Sequence, residues 1–421
     1  MRIILLKKEF ENSNKNKENS NIIIIFLSKL LSDLGSYTYG FVLGLYILKE
    51  TGSSLSYASI IIFALIPKII FGPISGVIVD KLDRKLLIIS SDILSGLTLT
   101  FFYLSFLYNG TTLLQINILG FILSMLNTFF DTAVNASIPN LVNNKKLNNV
   151  NSSIQSIGSL TQIIAPILGG LLFAWFDLYL FLLLNAFSFF ISAIFLTMLN
   201  FNKKSFVANY ISLPIMLKDL VEGFSYIKKQ ERIFLLFIFA VVINFLIALG
   251  IQVPVPYITN EVLKLSPQQY GIISSAFPIG ILVGSILISL TPEVKKKFRL
   301  FCIALCFNAL IFFTSGFLGM NFLSRDLAFH FYIIIYFLFG IIVIYVNVPV
   351  TNLLMSSTED NYRGRVFGTL SSFSSIISPL GILLSGILIL KLPAYILCYF
   401  ATIGQIFLLV IFAKNNHMKK I

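Results

Sequence analysis

The main pattern along the chain is a series of long apolar runs separated by short polar stretches. A helix that crosses about 30 Å of hydrocarbon needs about 20 mainly apolar residues. Twelve runs bounded by charged residues, Gly, Asn or Pro are long enough: 22–48, 54–79, 86–108, 113–140, 150–176, 178–200, 233–258, 268–292, 299–319, 328–355, 366–390 and 393–413. Because the runs do not alternate as barrel strands do, they predict an all-α protein with twelve transmembrane helices.

The positions of Lys and Arg predict how these helices are oriented. With the N-terminus placed in the cytoplasm, 25 of the 31 basic residues fall in cytoplasmic segments and 4 on the opposite side. Cytoplasmic loops carry such an excess of positive charge. We therefore expect a multi-pass protein of the cell (plasma) membrane with both termini in the cytoplasm. The Asn-, Lys- and Ile-rich usage is typical of a bacterium with an AT-rich genome.

Composition excludes several classes of protein. Hydrophobic residues make up 57% of the chain and charged residues 12%, whereas about a quarter of a soluble domain is charged. The net charge of +13 sits in gaps between apolar runs, so it does not predict binding to nucleic acid. With 3 cysteines, 2 histidines and no GxxxxGK phosphate loop, the chain has no pattern for a disulfide framework, metal, cofactor or enzyme.

The longest polar interruption divides the runs into two sets of six. Apolar residues recur within it at helical spacing: Met216, Leu220, Phe224 and Ile227. This spacing predicts an amphipathic helix along the cytoplasmic face. The predicted organisation is a disordered tail (1–21), a six-helix bundle (22–200), a linker (201–232), a second bundle (233–413) and a short tail (414–421).

The two sets of six repeat the same features. Pro166 in the fifth run corresponds to Pro379 in the eleventh, and Pro67 in the second to Pro278 in the eighth. Many secondary transporters are built from such repeats and bind substrate between them near the bilayer midplane. The repeat therefore predicts two pseudo-symmetric six-helix bundles, although any two six-helix blocks share some features.

The loop between the second and third runs carries a recognisable motif. It contains Gly76, Asp80, Lys81, Arg84 and Lys85, which resemble the G-x-x-x-D-[RK]-x-G-R-[RK] signature of the major facilitator superfamily. Asp83 replaces the second glycine, as in the branch that holds macrolide-efflux and enterobactin-exporter-like proteins. SIPNLVNNKKLNNVNS, EGFSYIKKQERI and NYRGRVFG are also similar to that branch. The resemblance covers essentially the whole chain and implies the major facilitator fold and transport by alternating access.

The loop residues are candidates for a conformational latch. Gly76 permits close approach of two helices, and an Asp80–Arg84 ion pair would strengthen one conformation and break in the other. In the family this loop meets the start of the eleventh helix, here near 365–368. The alternative is a solvated run of charges that only sets orientation.

The fifth run contains a candidate hinge. Ala165, Pro166, Gly169 and Gly170 are similar to the exporter-associated G-P-x-x-G-G motif, with alanine at the first position. Small residues allow close packing and proline bends a helix. Ordinary small-residue packing is an equally good interpretation.

Ionisable residues within the runs are functional candidates, because charge inside a membrane is costly. Asp33 and Asp131 are the candidates for proton coupling, since a carboxylate in a poorly hydrated cavity can exchange a proton when water reaches it. Lys29, Lys68 and Asp92 are candidate charge partners. For Lys29 the alternative is a side chain that snorkels to the surface, and for Asp92 a structural pairing.

The resemblance and the intramembrane carboxylates together predict a proton-coupled secondary active transporter that exports amphipathic molecules of the macrolide or multidrug type. Its predicted partners are a small-molecule substrate, protons and the lipid bilayer, and it is expected to act as a monomer. Candidates for the substrate cavity are Tyr37, Asn127, Asn244 and Asn347. Two alternatives stay open: a siderophore or metabolite exporter or uptake carrier of the same fold, and a membrane sensor or scaffold that transports nothing.

Overall fold

Helices form every regular element of the described chain. The computed structural model describes residues 2–142, 146–199, 213–290 and 297–414, excluding the side chains of 2–17, 213–217, 219, 297 and 298. The helices are α1 (Arg2–Thr51), α2 (Ser54–Lys81), α3 (Arg84–Asn109), α4 (Leu113–Leu141), α5 (Leu147–Trp175), α6 (Leu178–Thr197), α7 (Leu213–Lys229), α8 (Glu231–Ile247), α9 (Pro254–Tyr257), α10 (Pro267–Leu290), α11 (Lys297–Leu318), α12 (Arg325–Ser357), α13 (Arg363–Ile389) and α14 (Ala394–Lys414). In these ranges, 12 stretches are long and apolar enough to cross a membrane, which confirms the predicted fold class.

Polar caps fix where several spans begin. The side chains of Asp83 and Asp177 accept hydrogen bonds from amides in the first turns of α3 and α6. Thr112 and Gln115 form a reciprocal capping box at the start of α4. These side chains satisfy amides that have no partner within the helix. Asp83, the departure from the family's glycine, therefore has a structural role as a helix cap.

The first helix begins earlier than the sequence predicted. Residues 1–21 were expected to be disordered, but the backbone is helical from Arg2. Glu18 and Asn19 lie within 3.5 Å and 3.0 Å of the Lys146 ammonium. Extending an existing helix costs much less than nucleating one, and these contacts hold its polar extension.

The described chain forms two compact units. Unit 1 comprises Met1–Gly40, Ile66–Ala165 and Phe176–Leu213, and unit 2 comprises Phe41–Leu65, Pro166–Trp175 and Pro214–Ile421. This division differs from the predicted boundary at residue 200. Within unit 2, Ser54 donates a hydrogen bond to the Gly386 carbonyl at 2.9 Å. A Cβ on Gly170 would lie 2.6 Å from the Pro267 carbonyl oxygen, so 41–65 and 166–175 pack closely on the rest of unit 2.

The amphipathic helix predicted in the linker is α7, and it docks within unit 2. Glu222 pairs with Arg365 at 3.0 Å, and the Phe224 ring stacks on Phe373 with centroids 5.5 Å apart. Ile227 is fully buried. The apolar face thus packs on α8 and α13, while residues 201–212 of the predicted linker lie outside the described residues.

Candidate functional site

A cluster of three charged side chains lies between α1 and α4 in unit 1. Lys29 and Asp33 are one helical turn apart, so they share a face of α1. The Lys29 ammonium donates to Asp33 Oδ1 at 2.8 Å and to Asp131 Oδ1 of α4. The Phe130 ring lies 5.6 Å from the same ammonium. Lys29 therefore bridges both candidate carboxylates, and the snorkelling alternative is wrong.

The two carboxylates differ in their exposure. The side chain of Asp33 is 6% exposed and that of Lys29 11%, whereas that of Asp131 is 40% exposed. Two carboxylates and one ammonium carry one excess negative charge. Uptake of one proton would make the cluster neutral, which lowers the cost of holding it in a medium of low dielectric constant. Asp131 is the most exposed member of the cluster.

Tyr37 and Asn127, both predicted to line a substrate cavity, lie beside this cluster. Tyr37 is one further turn along the α1 face, and its hydroxyl accepts from Gln162 Nε2 at 3.5 Å. Asn127 Nδ2 donates to Asp131 Oδ2, also at 3.5 Å. These neutral groups extend the polar surface around Asp131 within unit 1.

The other two intramembrane charges lie outside this hydrogen-bonded cluster. Asp92 is 1% exposed and accepts a hydrogen bond from Ser32 Oγ at 2.9 Å. Lys68 is exposed. Its positive charge attracts the Asp33 carboxylate electrostatically, without a hydrogen bond like the one that Lys29 donates. The geometry favours the structural interpretation of Asp92.

Replacing Asp92 with asparagine should therefore leave transport close to the wild-type rate. The amide oxygen can still accept from Ser32, so we expect the free energy of unfolding to change by only about 1 kcal/mol. Transport rate and thermal midpoint in lipid nanodiscs check this. A complete loss of transport by a stably folded variant would instead place Asp92 in the coupling machinery.

Unit 2 contains a cavity of about 520 Å³, within the usual range for small-molecule sites. Asn244 and Asn347, two of the candidates for the substrate cavity, line it. The sequence reasoning did not select the other polar lining residues: Tyr57, Gln252, Tyr270, Asn308 and Tyr336. Polarity at membrane depth is a signal for some of them, but only the packing of helices shows which amides face the cavity.

Two departures from regular helix packing shape this cavity. The seventh span contains π-helical turns at Ala248–Gln252 and Ile258–Val262, and the first carries the cavity-lining Gln252. Such turns recur at functional sites. Across the cavity, α10 and α12 approach so closely that a Cβ on Gly340 would lie 2.7 Å from the Ile281 nitrogen. This approach places Phe277 beside Phe339.

The residues of the predicted latch hold helix ends within unit 1. Arg84 lies 3.3 Å from Asp80 and donates to the Ala136 carbonyl of α4 at 2.6 Å. Lys85 donates to two carbonyls at the end of α6, where positive charge is favourable. Lys81 is exposed. A Cβ on Gly76 would meet no described atom within 4 Å, so the described residues show no close helix approach there.

The candidate hinge in α5 is closely packed. A Cβ on Gly169 would lie 2.7 Å from the Phe41 ring, and Pro166 presents its carbonyl to Gly271 in unit 2. Ala165 is fully buried. The small residues of this motif thus serve close packing, and their role as a hinge stays a prediction.

Curated relatives align along most of the chain. Macrolide efflux protein A of Streptococcus pyogenes is 24% identical over 347 residues, which cover 81% of this chain and 82% of that protein. The multidrug efflux pump Tap of Mycolicibacterium fortuitum is 23% identical over 384 residues, which cover 88% and 90% of the two chains.

Solved transporters share the fold. The nucleoside transporter NupG superposes with a TM-score of 0.72 at 16% identity, covering 95% of this chain and 100% of that one. A bacterial homologue of the iron transporter ferroportin in the inward-facing state superposes with a TM-score of 0.71 at 18% identity, covering 93% of this chain and 98% of that one. The sequence profile of the Major Facilitator Superfamily matches residues 25–382. The chain therefore belongs to the Major Facilitator Superfamily and is a multi-pass membrane transporter.

Proposed function

We propose that this transporter exports amphipathic small molecules in exchange for protons, and that Asp131 is the group that exchanges the proton. One observation carries the proposal: Lys29 is shared between a buried carboxylate, Asp33, and an exposed one, Asp131. The arrangement has one excess negative charge and one partly exposed member, which the proposal takes to be open to water. Asp33 would remain the fixed counterion of Lys29 while Asp131 gains and loses a proton.

The proposed cycle uses the charge of this cluster to bias two conformations. Proton uptake by Asp131 removes the excess charge and weakens its bond to Lys29, which remains paired with Asp33. Release of the proton restores the negative charge. A transporter is driven when such a change favours one conformation over the other. The Asp80–Arg84 pair is the proposed latch that contributes to this balance.

Export is proposed from the names of the relatives and from the partial motif in α5. Relatives along most of the chain are named as macrolide and multidrug efflux proteins. In the proposed topology both termini lie in the cytoplasm, as the basic residues favour.

The likeness to a ferroportin homologue supports the fold alone. Among the described residues, no group of three His, Cys, Asp or Glu side chains is placed to hold a metal ion.

Drug accumulation in efflux-deficient bacteria tests this proposal. Cells that express the chain should accumulate less of one or more amphipathic compounds, macrolides included, and a protonophore should abolish the difference. Cells with the Asp131→Asn chain at the same membrane abundance are the matched control and should accumulate as much as cells without transporter. Reduced accumulation that survives the protonophore contradicts proton coupling, and increased accumulation contradicts export.

A further inference from the structure

The cavity in unit 2 has walls without charge. None of the described residues that line it is Asp, Glu, Lys, Arg or His. Its polar groups are the amides of four Asn and Gln residues and the hydroxyls of three tyrosines. Moving an ammonium or a carboxylate from water into such a site is costly because no opposite charge meets it. The walls of unit 2 therefore favour uncharged ligands.

Asn308 gives this cavity a specific polar feature. It lines the cavity and is 2% exposed, and its Oδ1 has no hydrogen-bond partner among the described residues. Leaving a buried acceptor unpaired is unfavourable, and almost all such atoms in folded proteins have partners. A hydroxyl or N–H group on a ligand would supply the missing donor.

Three of the other polar lining residues have protein partners. Asn244 already donates its amide hydrogen to the Ala240 carbonyl at 2.8 Å, and the hydroxyls of Tyr57 and Tyr270 share a hydrogen bond. Phe277 and Phe339 form an aromatic wall with ring centroids 4.9 Å apart. Among the side chains that line the cavity, Asn308 Oδ1 is the buried polar atom without a partner among the described residues, and aromatic side chains line the same cavity.

We propose that this cavity selects uncharged amphipathic molecules that combine an apolar, preferably aromatic, body with a hydroxyl or N–H donor, and that Asn308 Oδ1 accepts that donor. The proposal deepens the proposed function, on which it rests, by naming the substrate class. It separates neutral donors from protonated amines, which this cavity disfavours.

Binding of three matched biphenyls to the full chain in lipid nanodiscs tests the proposal. The probes are 4-phenylphenol, a neutral donor; 4-methoxybiphenyl, which lacks the donor; and 4-phenylbenzylamine, which carries an ammonium at pH 7. The phenol should bind about tenfold more tightly than the ether, as expected for one buried hydrogen bond, and at least about tenfold more tightly than the amine. Equal affinity for the three probes, a preference for the amine, or no binding of the phenol overturns the proposal.

Variants of Asn308 identify the acceptor. Asn308→Leu should lower the affinity for the phenol to the affinity for the ether. The affinity for the ether should stay within about twofold of its wild-type value. Asn308→Asp, of nearly the same shape, should improve binding of the amine. If the phenol's advantage over the ether persists in Asn308→Leu, Asn308 is not the acceptor.

Gln405→Leu is the matched control. Gln405 is fully buried in the same unit, its two amide atoms have no hydrogen-bond partner among the described residues, and it does not line the cavity. This variant should keep the wild-type preference. Binding is measured without a proton gradient, so these results do not depend on whether transport is coupled to protons. If the chain transports compounds but lacks the predicted selectivity, only the proposed substrate class is contradicted.

Discussion

Replacing Asp131 with asparagine is expected to abolish proton-driven transport while leaving a folded protein that still binds substrate. In the wild-type cluster, Lys29 is shared with a second, buried carboxylate at 2.8 Å. With asparagine at position 131 the cluster has one ammonium and one carboxylate, so its charge no longer changes with proton uptake. Substrate binding should persist because the proposed substrate cavity lies within unit 2. Uphill transport in proteoliposomes with a pH gradient, compared with equilibrium binding, separates the two effects.

A charge-balanced double variant distinguishes the exposed carboxylate from the buried one. Lys29→Gln alone leaves Asp33 buried without its cation, and breaking a buried pair costs about 3–5 kcal/mol. Lys29→Gln combined with Asp33→Asn removes that pair and keeps Asp131 as the one carboxylate. This double variant should retain proton-driven transport, whereas Asp131→Asn should not. The reverse result would assign the proton to Asp33.

Replacing Gly340 with alanine is expected to destabilise unit 2. A Cβ at this position would meet the Phe277 carbonyl oxygen and would lie 2.7 Å from the Ile281 nitrogen. These are backbone atoms of α10, so a side-chain rotation cannot relieve the clash. Overpacking of this kind typically costs about 1–3 kcal/mol, and separating α10 from α12 would also displace Phe277 and Phe339 in the cavity wall. Thermal unfolding and size-exclusion profiles of the purified protein measure the effect.

Gly368→Ala is the matched control for Gly340→Ala. Gly368 lies within α13, and a Cβ there would meet no described atom within 4 Å. Alanine is preferred over glycine in a helix interior by about 0.5–1 kcal/mol, so this variant should be at least as stable as wild type. Equal thermal midpoints for Gly340→Ala and wild type would show that α10 and α12 do not need the glycine.

Much of the fold follows from the sequence because lipid requires long apolar helices with their backbone groups satisfied. The last run was predicted over 393–413, and α14 spans Ala394–Lys414. The π-helical turns of the seventh span were not predicted, since Gly250, Pro254 and Pro256 do not specify a bulge. The division into compact units has other bounds than the predicted organisation, because it depends on contacts between segments far apart in the chain.

The candidate site was predicted in part. Asp33 and Asp131 were selected because charge inside a membrane is costly, and the one-turn spacing of Lys29 and Asp33 was evident. The position of Asp131 beside the same ammonium depends on how α1 packs against α4. Asn308 was not selected, because several asparagines and glutamines occur at similar depth and sequence alone does not show which one faces a cavity without a partner.

The most direct test of proton coupling is proton movement across proteoliposomes that contain the purified transporter. A compound from the accumulation panel is added outside vesicles that contain a pH-sensitive dye, with no imposed gradient. Wild type should move protons opposite to the substrate, and Asp131→Asn should move substrate down its gradient without any change in dye signal. Wild-type transport without proton movement, or the same dye signal from Asp131→Asn, would contradict the proposed role of the cluster.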